Sequence, residues 1–138
     1  MSEYNDIKDI IEPLQGDNLN KISERIIGCA IEVHRNLGPG LLENIYENAL
    51  CVEFESKRLN FARQVIAPAF YKNRNVGEYR IDILVENEII VELKVTDKDH
   101  EIHKAQLLTY LRLMDKKLGL LINFNKKFLR DGIKRIIL

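Results

Sequence analysis

Two carboxylates and a lysine stand at strand spacing in the middle of the chain: Asp82 in the run 78–85, and Glu92 and Lys94 in the run 89–95. If Glu86, Asn87 and Glu88 form the loop between these runs, Asp82 falls opposite Glu92; a two-residue loop shifts the pairing by one. In either register, alternation across a strand puts Asp82, Leu84, Ile90, Glu92 and Lys94 on one face. Ile81, Ile83, Val85, Val91, Leu93 and Val95 share the other, which is wholly apolar and belongs in a core. The first face is apolar except for its charges, so these sit at a partly buried position. Like charges directly across a strand pair repel. A hard divalent cation compensates them, since magnesium is commonly held by one or two carboxylates with waters and phosphate oxygens. Lys94 then faces a phosphate or a water on the ion. The bland alternative is that Lys94 neutralises Glu92 at a sheet end, and the Glu-x-Lys spacing alone favours that alternative.

Neighbouring helices add polar groups to apolar stripes. In a helix over 99–114, His103, Gln106, Tyr110 and Leu113 share an arc with Leu107, Leu111 and Met114. A lone histidine or tyrosine there is ordinarily a satisfied core residue, but three hydrogen-bonding groups together read as a site lining. In a helix over 41–58, Glu43 opens a stripe continued by Tyr46, Leu50 and Phe54. Its carboxylate either complements the helix dipole or joins Asp82 and Glu92 as a third acid. His34 and Arg35 precede a glycine turn, and core packing is the favoured reading for His34. With Tyr46, His103 and Tyr110 they are candidates for positioning a substrate.

The elements that must hold these groups follow from periodicity. A helix over 19–36 carries Ile22, Ile26, Ala30 and Val33, with Leu37 just beyond, on one stripe and stops at Gly38-Pro39-Gly40. The helix 41–58 follows, then strands at 63–67, near 70–71, at 78–85 and at 89–95. After the helix 99–114, residues 118–124 read as a buried strand and 133–138 as a strand or a helical end. Helices, then strands, then a helix and a strand predict a mixed sheet with helices packed on it. The chain has 138 residues, enough for one domain with a real core. Residues 1–18 read as an acidic extension, with a short helix ending near Pro13, and 19–138 as the single domain.

Composition excludes several classes. With 46% hydrophobic and 30% charged residues, the chain is an ordinary globular one. No apolar run approaches the roughly 20 residues of a membrane span. The acidic start is unlike a signal or transit peptide. Cys29 and Cys51 are too few for a zinc or iron–sulfur pattern, so reduced thiols and a cytoplasmic location are expected. Lys plus Arg and Asp plus Glu are both 21, leaving no global basic footprint. Eight of the cations fall in 112–138 (Arg112, Lys116, Lys117, Lys126, Lys127, Arg130, Lys134, Arg135) against Asp115 and Asp131. That segment reads equally as a solvated surface or as a local phosphate-facing patch.

The spaced blocks resemble a known family. Gly40-x-x-Glu43-x-x-Tyr46, following residues 33–39, resembles the signature of the GxxExxY proteins, and residues 79–85, 91–94, 105–112 and 119–124 resemble that family's other blocks. The resemblance covers about 20–138 and implies membership of the PD-(D/E)xK nuclease-like superfamily. It implies a restriction-endonuclease-like α/β core with a central mixed sheet flanked by helices. It maps the superfamily's metal aspartate to Asp82, its Glu-x-Lys to Glu92 and Lys94, its first-helix acid to Glu43 and its helix glutamine to Gln106. The residue before Asp82 is Ile81 rather than proline, so the two-letter motif itself lends nothing.

The expected function is magnesium- or manganese-dependent phosphodiester hydrolysis on nucleic acid, with DNA favoured over RNA. Asp82, Glu92, the Leu93 carbonyl and Glu43 would serve the metal, and Lys94 and Gln106 the chemistry. The alternative is a silent nucleic-acid- or protein-binding module on the same fold. A homodimer or a protein partner is compatible with the small size, and no membrane association is expected.

Overall fold

The computed structural model describes residues 17–138, so the expected short helix near Pro13 lies outside the described residues. Helix α1 spans Asp17–Leu37 and α2 spans Glu43–Ser56. Strands β1 (Phe61–Tyr71), β2 (Arg74–Val85) and β3 (Ile89–Lys94) follow, then α3 (Glu101–Met114) and β4 (Leu118–Asn123). A short 3-10 turn over Leu129–Gly132 leads into β5 (Ile133–Ile137). The strands lie in the order β1-β2-β3-β4-β5, with β3 and β4 parallel across α3 and the other pairs antiparallel. This is the mixed sheet with flanking helices that the element order predicts, and β5 settles the ambiguous end as a strand.

Two cores sandwich the sheet. On one side Ile22, Ile26, Ala30 and Val33 of α1 and Tyr46, Leu50 and Phe54 of α2 pack with Ile83, Val85, Val91, Leu93, Leu120 and Ile122. Leu37 departs from the predicted stripe and is exposed. On the other side Leu107, Tyr110 and Leu111 of α3 pack with Leu84, Ile90 and Leu121. The predicted three-residue loop holds: Val85 pairs with Ile89 and Ile83 with Val91, and Glu86 and Asn87 take the positive φ the turn requires.

The strand reading needs two corrections. β1 runs unbroken through Pro68, which the edge position allows because an edge strand leaves N–H groups unpaired. It joins β2 through a two-residue turn at Lys72 and Asn73, both at positive φ, so the hairpin is longer than periodicity suggests. Ile81 also leaves the face shared by Ile83 and packs in the α3 core. The reason lies across the strand pair: Gln64, between the pairs Arg63–Ile83 and Val65–Ile81, sits at φ +51°. That left-handed residue interrupts the ladder without shifting its register, and the facing of the strand changes there; the register itself shifts further out, between Ala69 and Phe70.

Candidate active site

The broken ladder is where Asp82 and Glu92 meet. Extending the register beyond Ile83–Val91 sets them opposite each other, and side chains replace the backbone pairing there. Asp82 N–H donates to Glu92 Oε1 at 2.8 Å, and Leu93 N–H donates to Asp82 Oδ2 at 2.9 Å. Each carboxyl thus caps an amide on the opposite strand with one oxygen. β2 then departs with β1, while β3 continues beside β4.

Burial sets the electrostatics. Glu92 is 4% exposed, and its carboxyl is pushed up to about 8, first by burial and then by the charge of Asp82, against the Asp82 amide and Lys94. Asp82 is raised as well, by burial first and by the charge of Glu47, with the Leu93 amide, Lys94 and a side-chain hydrogen bond to Glu92 opposing. Glu43, in the first turn of α2, is raised by partial burial and then by Asp82. Lys94 lowers all three acids through its charge, and it forms no ion pair among the described residues.

Helix α3 closes one side. Burial and then Glu92 and Asp82 push the Tyr110 hydroxyl up to about 12, and its ring lies 5.4 Å from that of Tyr79. His103 is lowered by burial, then by Lys94 and His100. Gln106 lines an open cleft of about 260 Å³ with Tyr79, Ile102, Ala105 and Thr109. Asp82, Glu92, Lys94, Glu43, Tyr110 and His103 therefore form one electrostatic neighbourhood, with Gln106 one turn before Tyr110.

The remaining candidates are used elsewhere. Tyr46 is fully buried and stacked on Phe124 at 4.5 Å. Its hydroxyl donates to Gly38 O at 2.5 Å and accepts from Leu41 N–H at 3.2 Å, clasping the turn whose Gly38 and Gly40 sit at positive φ. Tyr46 thereby positions the start of α2, and Glu43 with it. His34 is buried and donates from Nε2 to the Lys126 carbonyl at 2.7 Å, which ties α1 to the loop after β4. Arg35 is exposed and pairs with Glu32 at 3.3 Å. Leu93 has a buried side chain, and its amide serves Asp82.

The basic 112–138 segment does not assemble into one patch. Lys116 reaches Asn87 at the β2–β3 loop, whereas Lys126 and Lys134 converge on Asp99 at the opposite end of the sheet, at 3.7 and 3.4 Å.

Two polar clusters escaped the sequence reading. Glu47, one turn after Glu43, is buried and binds Arg63 through Nε at 3.0 Å and Nη2 at 2.6 Å, and Gln64 at 3.0 Å. Asn123, paired with Lys94 in the β3–β4 register, is buried and gathers Thr96, Asp99 and Asn125. The spacing of Glu47 to Glu43 was a readable signal; Asn123 had none beyond a polar residue ending an apolar strand.

The fold and this centre define an α/β domain built around a paired-carboxylate site at a broken strand pair. A family model described as the PD-(D/E)XK nuclease superfamily matches residues 20–136, and the chain belongs to that superfamily. The mixed five-stranded sheet with helices on both faces agrees with the restriction-endonuclease-like fold. No curated protein and no solved structure matches the chain.

The donor set fits a divalent cation of the kind this superfamily typically uses. A buried Glu92 and a half-buried Asp82, both raised by burial and set against each other, are carboxyls whose charge a hard cation relieves. Among the described residues no group of three or more His, Cys, Asp or Glu side chains is placed to hold an ion; the acids present are the opposed Asp82 and Glu92, with Glu43 acting on them through its charge. Among the same residues no helix is long and apolar enough to cross a membrane.

Proposed function

We propose that the chain hydrolyses phosphodiester bonds in nucleic acid with magnesium or manganese, as a GxxExxY-type member of its superfamily. The single observation that carries this reading is the reciprocal Asp82–Glu92 pair: a buried Glu92 raised by burial and by the charge of Asp82, opposite a half-buried Asp82 that burial also raises, with Lys94 acting on both. The subfamily reading is supported by Tyr46, whose clasp on Gly38 sets Glu43 towards Asp82.

Asp82 and Glu92 would hold the cation, with the Leu93 carbonyl as a further oxygen from the same strand. When bound, the cation supplies Lewis acidity towards the phosphate and acidifies a water. Lys94 brings a positive charge to the pentavalent phosphate and orients the attacking water. Tyr110, its hydroxyl held protonated at neutral pH, donates a hydrogen bond. His103, whose imidazole burial and then Lys94 and His100 lower, stands on the same helix as a candidate to position the substrate. Gln106 and the cleft beside it orient the strand.

The test is release of fragments from labelled DNA and RNA with magnesium or manganese, against Asp82→Ala and Lys94→Ala. Activity unchanged in both variants refutes the assignment.

A further inference from the structure

The β1–β2 hairpin outruns the rest of the sheet. β3 pairs with β2 only at Ile83, Leu84 and Val85, so residues 66–80 stand away as a two-stranded ribbon whose strands pair only with each other. Its root packs on α3 through Val65, Ala67, Ile81 and Tyr79. Its opposite face does not. Alternation from Gln64 places Ile66, Pro68 and Phe70 on that face, with Arg80 and Glu78 across from Ile66 and Pro68. Asp82 lies two residues beyond Arg80 along β2, so the ribbon leads into the paired carboxyls.

The composition of the ribbon says what covers it. Ile66, Phe70, Tyr71 and Val76 are large apolar groups left exposed. Lys72, Arg74 and Arg80 are exposed and form no ion pair among the described residues, and Glu78 is the only acid between 66 and 80. Lys72 leans only over the Tyr71 ring, at 5.5 Å. A second copy laid ribbon to ribbon would set three cations against three, so the charge favours an anionic partner. Unpaired cations beside exposed aromatic rings are how single strands are gripped: charge follows the backbone and rings stack on bases. Paired bases in a duplex have no free faces to offer such rings.

Resting on the nuclease reading, we infer that the β1–β2 ribbon is the arm that receives a single nucleic-acid strand leading to the Asp82–Glu92 pair. At roughly 3.3 Å per strand residue, Arg80 stands about 7 Å from Asp82 along the chain, within reach of a phosphate next to the cleaved one. Phe70 stands about 20 Å away, some six nucleotides at a stacked rise of roughly 3.4 Å. The substrate class is therefore a strand unpaired on one side of the cut.

Fluorescence anisotropy in EDTA tests the arm without turnover, using the full chain with a labelled 20-nucleotide single strand and with the matching duplex. The single strand should bind more tightly than the duplex. Phe70→Ala should weaken the single strand by about 5- to 100-fold, with Phe70→Trp retaining affinity. Replacing Lys72, Arg74 and Arg80 together by alanine should lower the salt slope by about 2. These positions are exposed, so melting temperatures report that the variants fold.

Tighter duplex binding, unchanged affinity in both alanine variants, or no nucleic-acid binding by the wild type would each overturn the arm. So would light scattering that shows a dimer lost in Phe70→Ala with strand binding intact. Cleavage is scored separately with magnesium. Cutting that ignores the ribbon variants removes the arm and keeps the nuclease, whereas strand binding through the ribbon without any cutting removes the nuclease.

Discussion

Replacing Glu92 by glutamine isolates the energy stored in the paired carboxyls. Glu92 is almost wholly buried and its carboxyl rises from the ordinary 4.5 to about 8. Between these values the folded chain holds a proton that the unfolded chain has released. Stability contributed by this group is therefore greatest below the unfolded value and falls as the pH rises towards the folded one. Each factor of ten in proton affinity is worth about 1.4 kcal/mol, so the ceiling is on the order of 5 kcal/mol. Asp82 is less buried, so water screens the pair, and a working figure is roughly 2–3 kcal/mol. For a domain of this size that amounts to about 6–15 °C in melting temperature. Glutamine keeps an oxygen for the Asp82 amide and offers Asp82 a donor, so Glu92→Gln should match wild type at pH 5 and exceed it at pH 8.5. Melts followed by circular dichroism in EDTA at constant ionic strength read the difference, which cancels every other titrating group. Magnesium at ten times its Kd should then stabilise wild type by about 1.4 kcal/mol and leave the variant where it was. A wild-type minus variant difference that stays flat from pH 5 to 8.5, or an equal magnesium shift in both, refutes the reasoning.

Three further outcomes follow from the same geometry. Magnesium binding should displace the proton that Glu92 holds below about 8, so its affinity should fall up to about tenfold per pH unit below that value; calorimetry in two buffers of different ionisation enthalpy measures the release. Tyr46→Phe should destabilise the fold by about 1–3 kcal/mol, because Gly38 O and Leu41 N–H both lose a buried partner; denaturant unfolding checks it, and a neutral result would deny the clasp. Gly132→Ala should destabilise the fold by about 1–3 kcal/mol or more, since an added Cβ would lie 2.1 Å from the Asn123 carbonyl. A melting temperature equal to wild type would show that the loop after β4 can yield.

Much of the centre was legible before any coordinates. Period-two alternation proposed one face for Asp82, Glu92 and Lys94, and the three-residue loop at 86–88 set Asp82 opposite Glu92, in agreement with their reciprocal hydrogen bonds to backbone amides, because hairpin register depends on the loop and the pleat. The helix stripes were equally plain, since burying Ile26, Tyr46 or Leu107 needs only a 3.6-residue period and a partner surface. The superfamily followed from the spaced blocks, and the match over 20–136 agrees.

What escaped depends on contacts between residues far apart in the chain. Nothing near Ile81 announces that it changes cores; Gln64, seventeen residues earlier, turns left-handed across the strand pair and redirects it. Tyr46 and His34 carry groups suited to a site, yet backbone carbonyls at Gly38 and Lys126 claim them, and carbonyl directions are set only when the helices dock. The cations of 112–138 read as one run but are divided between opposite ends of the sheet, because β4 and β5 carry them there in antiparallel order. Local periodicity thus determined which residues face inward and which acids are opposed. Packing alone decided which of the polar groups remain free to act, since that depends on whether a partner from elsewhere in the chain arrives to satisfy them.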